Sequence, residues 1–120
     1  MKDYVNVSVY EDYIAVSFYI ENEEPFKVGE KLNERFEDAY MNGYNWEAFF
    51  NAYLEKNAPE ILEILDPDSE AGMYSAYIND VNDETKVLAQ RFADLIEHLV
   101  ENEEEIFEFI EKNSDEIEWD

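Results

Sequence analysis

No cysteine occurs anywhere in the 120 residues. Disulfides, thiolate nucleophiles and zinc-thiolate sites are therefore excluded together. Histidine occurs once, at His98, too little for a His-based metal centre, and no Ser/His/Asp order stands out. The three glycines are isolated from one another, so neither a Walker loop nor a GxGxxG turn is available to cradle phosphates. Basic residues are scarce as well. Eight Lys and Arg face thirty-two Asp and Glu, for a formal charge of −24 and a pI near 4.1. Such a chain repels nucleic acid and anionic membrane surfaces and attracts cations or a basic protein. No apolar run is long enough to span a bilayer, and the opening "MKDYVNVSVY" has no apolar signal core. A cytoplasmic location is the expectation.

What is present argues for a folded chain. Hydrophobic residues make up 46% and aromatics 16%, a content that disordered acidic chains lack. At this length a single core serves residues 1–120 as one domain. "YVNVSVY" (4–10) places Val5, Val7 and Val9 on one face, and "YIAVSFYI" (13–20) does the same for Ile14, Val16, Phe18 and Ile20. Two period-two runs around Glu11-Asp12 predict an antiparallel hairpin. Residues 21–30, with Pro25 and Gly29, read as a loop. Residues 30–41 read as a short helix through Leu32, Phe36 and Tyr40, ended by Gly43. A long apolar stripe follows from Trp46 through Phe49, Phe50, Tyr53 and Leu54 to Leu65. It predicts a helix capped by Asn45 and broken or restarted at Pro59. "GMYSAYI" (72–78) predicts a third strand. A helix from about Asp83 buries Leu88, Phe92, Leu95, Ile96, Leu99 and Val100, and a shorter one carries Ile106, Phe107, Phe109 and Ile110. The fold class is α+β, a small antiparallel sheet packed against helices in the order ββ(α)αβαα.

Three stretches invite a chemical reading. In "LDPDSEAGMYSAY" (65–77), Asp66, Asp68 and Glu70 match the first three ligand positions of an EF-hand loop. Ala71 takes the place of the required glycine, and Tyr77 that of the closing Glu, so the stretch reads as a turn that launches a strand. Paired carboxylates for glycoside hydrolysis carry no information when thirty-two acids are available to meet any spacing. His98, with Asp94 four before and Glu101 three after, reads as a helix-surface residue held by those acids.

The third stretch is the C-terminal acidic helical segment, 101–120. From Glu97 to Asp120 there are eleven acids and one base, Lys112. Glu101, Glu103, Glu104, Glu105 and Glu108 are the candidate partner-binding residues, with Asp66, Asp68 and Glu70 as a second patch. An acidic face of this kind would occupy the nucleic-acid groove of a basic protein and steer its association.

"NGYNWEAFFNAYLEKNAPEIL", then "LDPDSEAGMYSAY", then a Leu-rich helix resembles the immunity protein 51 family of bacterial polymorphic toxin systems. Gly43, Tyr44, Trp46 and Glu47 match its helix-opening motif. Asp66, Glu70, Ala71, Gly72 and Met73 match its strand-opening motif, with Tyr74 where the family has Phe. The resemblance covers about residues 40–100 and implies Gly43, Trp46, Gly72 and Met73 as fold-determining residues, to which the apolar stripe adds Phe50, and not a toxin-binding surface. It also implies a non-enzymatic, cofactor-free cytoplasmic antidote to one cognate toxin domain, used in contact-dependent bacterial competition. The charge adds that the toxin is basic, a nuclease being the commonest reason. The rival reading from another class is an acidic DNA mimic that inhibits a DNA-binding or restriction protein; a toxin gene immediately upstream would separate the two.

Overall fold

A computed structural model describes residues 2–119; Met1 and Asp120, the two ends of the expected domain, lie outside the described residues. β1 (Val5–Val9) and β2 (Ile14–Phe18) form the predicted hairpin, with Val7 opposite Val16 and the turn closed by the Tyr10 N–H on the Tyr13 carbonyl at 2.8 Å. In β2, Ile14, Val16 and Phe18 are buried while Ala15 and Ser17 are only partly so, the alternation of a strand with one covered face. The covered face of β1 is incomplete. Val5 is buried, but Val9 at the hairpin tip is 52% exposed, beyond the reach of the helices.

The next element corrects the sequence reading. Residues 21–30 are not a loop, because α1 spans Glu23–Arg35. Pro25 is the third residue of that helix, where its missing N–H would have had no helical partner anyway. Glu23 and Glu24 sit at the positive end of the dipole. Pro25, Val28, Gly29 and Leu32 are the buried stripe. The helix stops at Arg35 instead of running to Tyr40, and Tyr40 is exposed. Met41 then takes a left-handed backbone, φ 53°, which reverses the chain.

α2 (Gly43–Asn57) is capped by Asn42 and not by Asn45: the Asn42 side chain accepts the Asn45 N–H at 2.8 Å. Gly43 therefore opens this helix and does not close the previous one. Pro59 restarts the chain as α3 (Pro59–Leu62), as its position predicts. Asp66-Pro67, read in the sequence as part of a turn, is instead the two-residue strand β3, paired with β4 (Tyr74–Ile78). The arms continue to a tight turn where Glu70 and Met73 exchange both backbone hydrogen bonds, at 2.9 and 3.2 Å.

The sheet is antiparallel throughout, in the order β1-β2-β4-β3. α2 and α4 (Asp83–Glu101) pack on one face of it. Asn82 and Thr85 form a reciprocal capping box that starts α4. Leu88, Phe92, Ile96, Leu99 and Val100 are buried on α4 as expected, and Leu95 is half-buried. α5 (Glu103–Asn113) buries Ile106, Phe109 and Ile110, with the Phe109 ring 5.6 Å from Phe49 and 5.1 Å from Tyr53. A single helical turn follows at 114–116, and Ile117 returns to the core.

Where strand and helices meet, the aromatics interlock. Trp46 lies edge-on to Phe18 at 5.0 Å, and Phe50 meets Tyr74 at 4.9 Å and Phe92 at 5.4 Å. Gly43 is pinned to the Glu70–Met73 turn by its N–H on the Ala71 carbonyl at 2.8 Å. A side chain has no room there, since a Cβ would stand 1.8 Å from the Glu70 carbonyl oxygen. Gly72 lies on the same turn with the Glu21 carboxylate beside it.

Candidate partner-binding surface

The acids of the C-terminal segment are spent largely on the chain's own cations. Glu101 reaches Lys2 at 3.6 Å, Glu103 reaches Lys31 at 2.8 Å, and Glu108 reaches Lys112 at 2.7 Å. Further along, Glu111 pairs with Arg35 and Glu116 with Lys56. Lys31, Arg35 and Lys56 belong to α1 and α2, so three of these contacts tie the C-terminal region to the earlier helices. Phe36 and Phe107, 5.9 Å apart, join the same seam. Glu104 is the one of the five candidate acids in this segment with no ion pair among the described residues. His98 pairs with Glu105 at 2.6 Å across the α4–α5 junction, and not with Asp94 or Glu101. Asp94 accepts from Gln90, and Glu101 faces Lys2.

A consequence for α5 follows. A lysine in place of Glu103 would face Lys31 and sit in the first turn of the helix, where the dipole favours an acid. Glu103→Lys is expected to cost about 1–2 kcal/mol. Urea unfolding at physiological salt checks this, and an unchanged midpoint would mean the tether contributes nothing. Reversing Glu103, Glu104 and Glu105 together would therefore perturb the fold as well as the surface charge.

Asp66, Asp68 and Glu70 are placed differently. They occupy alternate positions along the extended β3 arm, the Asp68 N–H bonding the Ser75 carbonyl at 2.8 Å. A strand carries such side chains side by side along one face; a calcium loop wraps them around a point. Among the described residues no group of three His, Cys, Asp or Glu converges to hold a metal. None of the three makes an ion pair among the described residues.

The strand alternation exposes residues that the sequence reading did not single out. Opposite the helices, the sheet carries Ser8, Ala15 and Ser17, small and partly exposed, and Ser75, which is buried. At one end Tyr10 stacks on Tyr13 at 4.7 Å, and Tyr13 meets Tyr77 edge-on at 5.6 Å. The signal was there in the odd positions of "YIAVSFY", but those positions read as the solvent side of a strand, not as a surface continued by its neighbours.

A concavity of about 510 Å³ runs between α2 and the C-terminal tail, lined by Tyr44, Glu47, Asn51, Glu55, Glu116 and Glu118. The resolved shifts of titratable groups lead away from neutrality. Burial pushes the Tyr4, Tyr53 and Tyr74 phenols up, and neighbouring carboxylates add to it. Backbone hydrogen bonding and Arg91 hold Glu60 low, and Lys112 holds Glu108 low. No helix of the described residues is long and apolar enough to cross a membrane.

The family model described as Immunity protein 51 matches residues 6–115. That span takes in the N-terminal hairpin and α5, well beyond the stretch that carries the motif resemblance. No curated protein and no solved structure matches the chain.

Proposed function

The chain belongs to the immunity protein 51 family, and we propose that it binds and neutralises one cognate toxin domain, a basic one such as a nuclease, in the bacterial cytoplasm. The family match over residues 6–115 carries the reading. The formal charge of −24 supports the basic character of the partner. Opposite fields raise the rate of encounter steeply, and an inhibitor that must meet its toxin before damage accumulates gains from that rate. Inhibition on this account is by occupancy. The chain contributes a surface and no reacting group.

The test is protection of cells. The cognate toxin domain, sought first in the gene next to this one, would be expressed from a tight promoter, with and without this chain. Growth should be restored only when both are made, and the two should copurify as a complex. Loss of growth in both cases, with no complex formed, would overturn the reading. Binding to several unrelated DNA-binding proteins, and not to the toxin, would replace it with a DNA mimic.

A further inference from the structure

The chain's charges are segregated along its length. All eight Lys and Arg lie at position 2, between 27 and 56, or from 86 onward. Segments 3–26 and 57–85, which contain all four strands, hold none. Those same segments carry Glu11 and Asp12 at the hairpin tip and Asp66, Asp68 and Glu70 along the β3 arm. Of the seven bases on the helices, six are matched to acids of this chain. The helices still carry more acids than bases, but only the sheet layer carries its acids with no base of its own.

That layer also has a face which no helix covers. We infer that the helix-free face of the sheet is the docking surface for the basic toxin domain, an assignment that rests on the immunity reading. Its floor of Ser8, Ala15 and Ser17 is small-chained and partly exposed, with the Tyr77 ring alongside Ala15, so a partner can approach closely over β1 and β2. Tyr10, 49% exposed, and Tyr19, 37% exposed, stand at opposite ends of that floor. Tyr10 is held by its stack on Tyr13, which limits the side-chain entropy lost on binding. Tyrosine and serine with an acidic margin make an adaptable hydrogen-bonding surface with rigid aromatic anchors. Asp66 and Asp68, in register with Tyr77 and Ser75, set that margin along the β3 edge. With no lysine or arginine in these segments, nothing there opposes a cationic partner. The occupant that fits is a folded domain whose Lys and Arg ring a less polar centre; nucleic acid is repelled from the same face.

The experiment uses the full chain and the cognate toxin domain carrying an inactivating substitution, with affinity and association rate measured together. Ala15→Arg drives a long cation up from the floor. Tyr10→Ala removes an anchor, and the pair Asp66→Lys with Asp68→Lys reverses the margin at exposed positions. Ala15→Arg and Tyr10→Ala are each expected to weaken binding by about 100-fold. The margin reversal should slow association by about tenfold at low salt. Glu34→Lys on α1, an exposed acid outside both candidate patches, should stay within about threefold of the parent. Circular dichroism and the thermal midpoint report whether each variant folds. Should Ala15→Arg unfold, Tyr10→Ala and the margin reversal still decide the matter.

A parent chain that binds tightly while folded sheet-face variants bind equally well would overturn the docking face and leave the immunity reading standing. So would a dimer of this chain that the same variants break without affecting toxin binding. A parent chain that binds no toxin would overturn both.

Discussion

Replacing Gly43 by alanine is expected to destabilise the protein by at least about 3 kcal/mol, the top of the usual range for overpacking. The added methyl would stand 1.8 Å from the Glu70 carbonyl oxygen and 2.5 Å from that of Met73. Both obstacles are backbone, in a turn already closed by two hydrogen bonds. They can move only if the N-terminus of α2 leaves the β3–β4 hairpin and the Gly43 N–H gives up the Ala71 carbonyl. Gly29→Ala is the matched control. There the new methyl meets the Met41 Cβ at 3.2 Å, a contact relieved by a few tenths of an ångström, and alanine is the better helix former. Its expected effect stays within about 1 kcal/mol of zero. Chemical denaturation of the two variants side by side checks the pair. Equal effects would mean that the α2–turn contact is not where the tolerance of this fold ends.

Trp46→Ala is the second large expectation, a loss of about 3–5 kcal/mol. Trp46 is 1% exposed and packs on Phe18 of the sheet and on Phe49 and Phe50 of its own helix. Removing the indole opens a cavity at the centre of the aromatic cluster, whose other rings are themselves held by Tyr74 and Phe92. They cannot collapse inward without giving up those contacts. A change below about 1 kcal/mol would show that the indole is not a core residue.

Gly43 and Trp46 also show how far the sequence could be read. The apolar stripe from Trp46 and the alternation of Ile14, Val16 and Phe18 are periodic signals. Both elements formed where the period placed them. Pro25 and Gly29 misled because proline and glycine punctuate chains on average. A proline in the first helical turn breaks nothing, and a buried glycine can mark close packing. β3 was hidden because two residues carry no periodicity; its existence depends on β4 lying alongside. Asn42 and Asn45 are equivalent as caps by residue type, and only the backbone course after Met41 selects Asn42.

The candidate surface was legible as composition and not as geometry. Eleven acids between Glu97 and Asp120 are obvious in the sequence. That Lys31, Arg35 and Lys56 would come from distant positions to meet Glu103, Glu111 and Glu116 is not. Asp66, Asp68 and Glu70 stood out for the wrong chemistry, as a near-calcium loop, and lie instead in line on a strand. The tyrosines of the sheet face belong to β4 and to the segments flanking β1 and β2, and pairing register brings them together.

Titrating the purified chain into a fixed amount of the active cognate toxin domain, with residual toxin activity read at each step, tests the central claim most directly. Neutralisation by occupancy predicts a linear fall to zero at about one equivalent, as for any tight stoichiometric complex. Activity abolished far below one equivalent would point to catalytic inactivation of the toxin, and activity that persists in large excess would mean that the chain is not its antidote; either result contradicts the account.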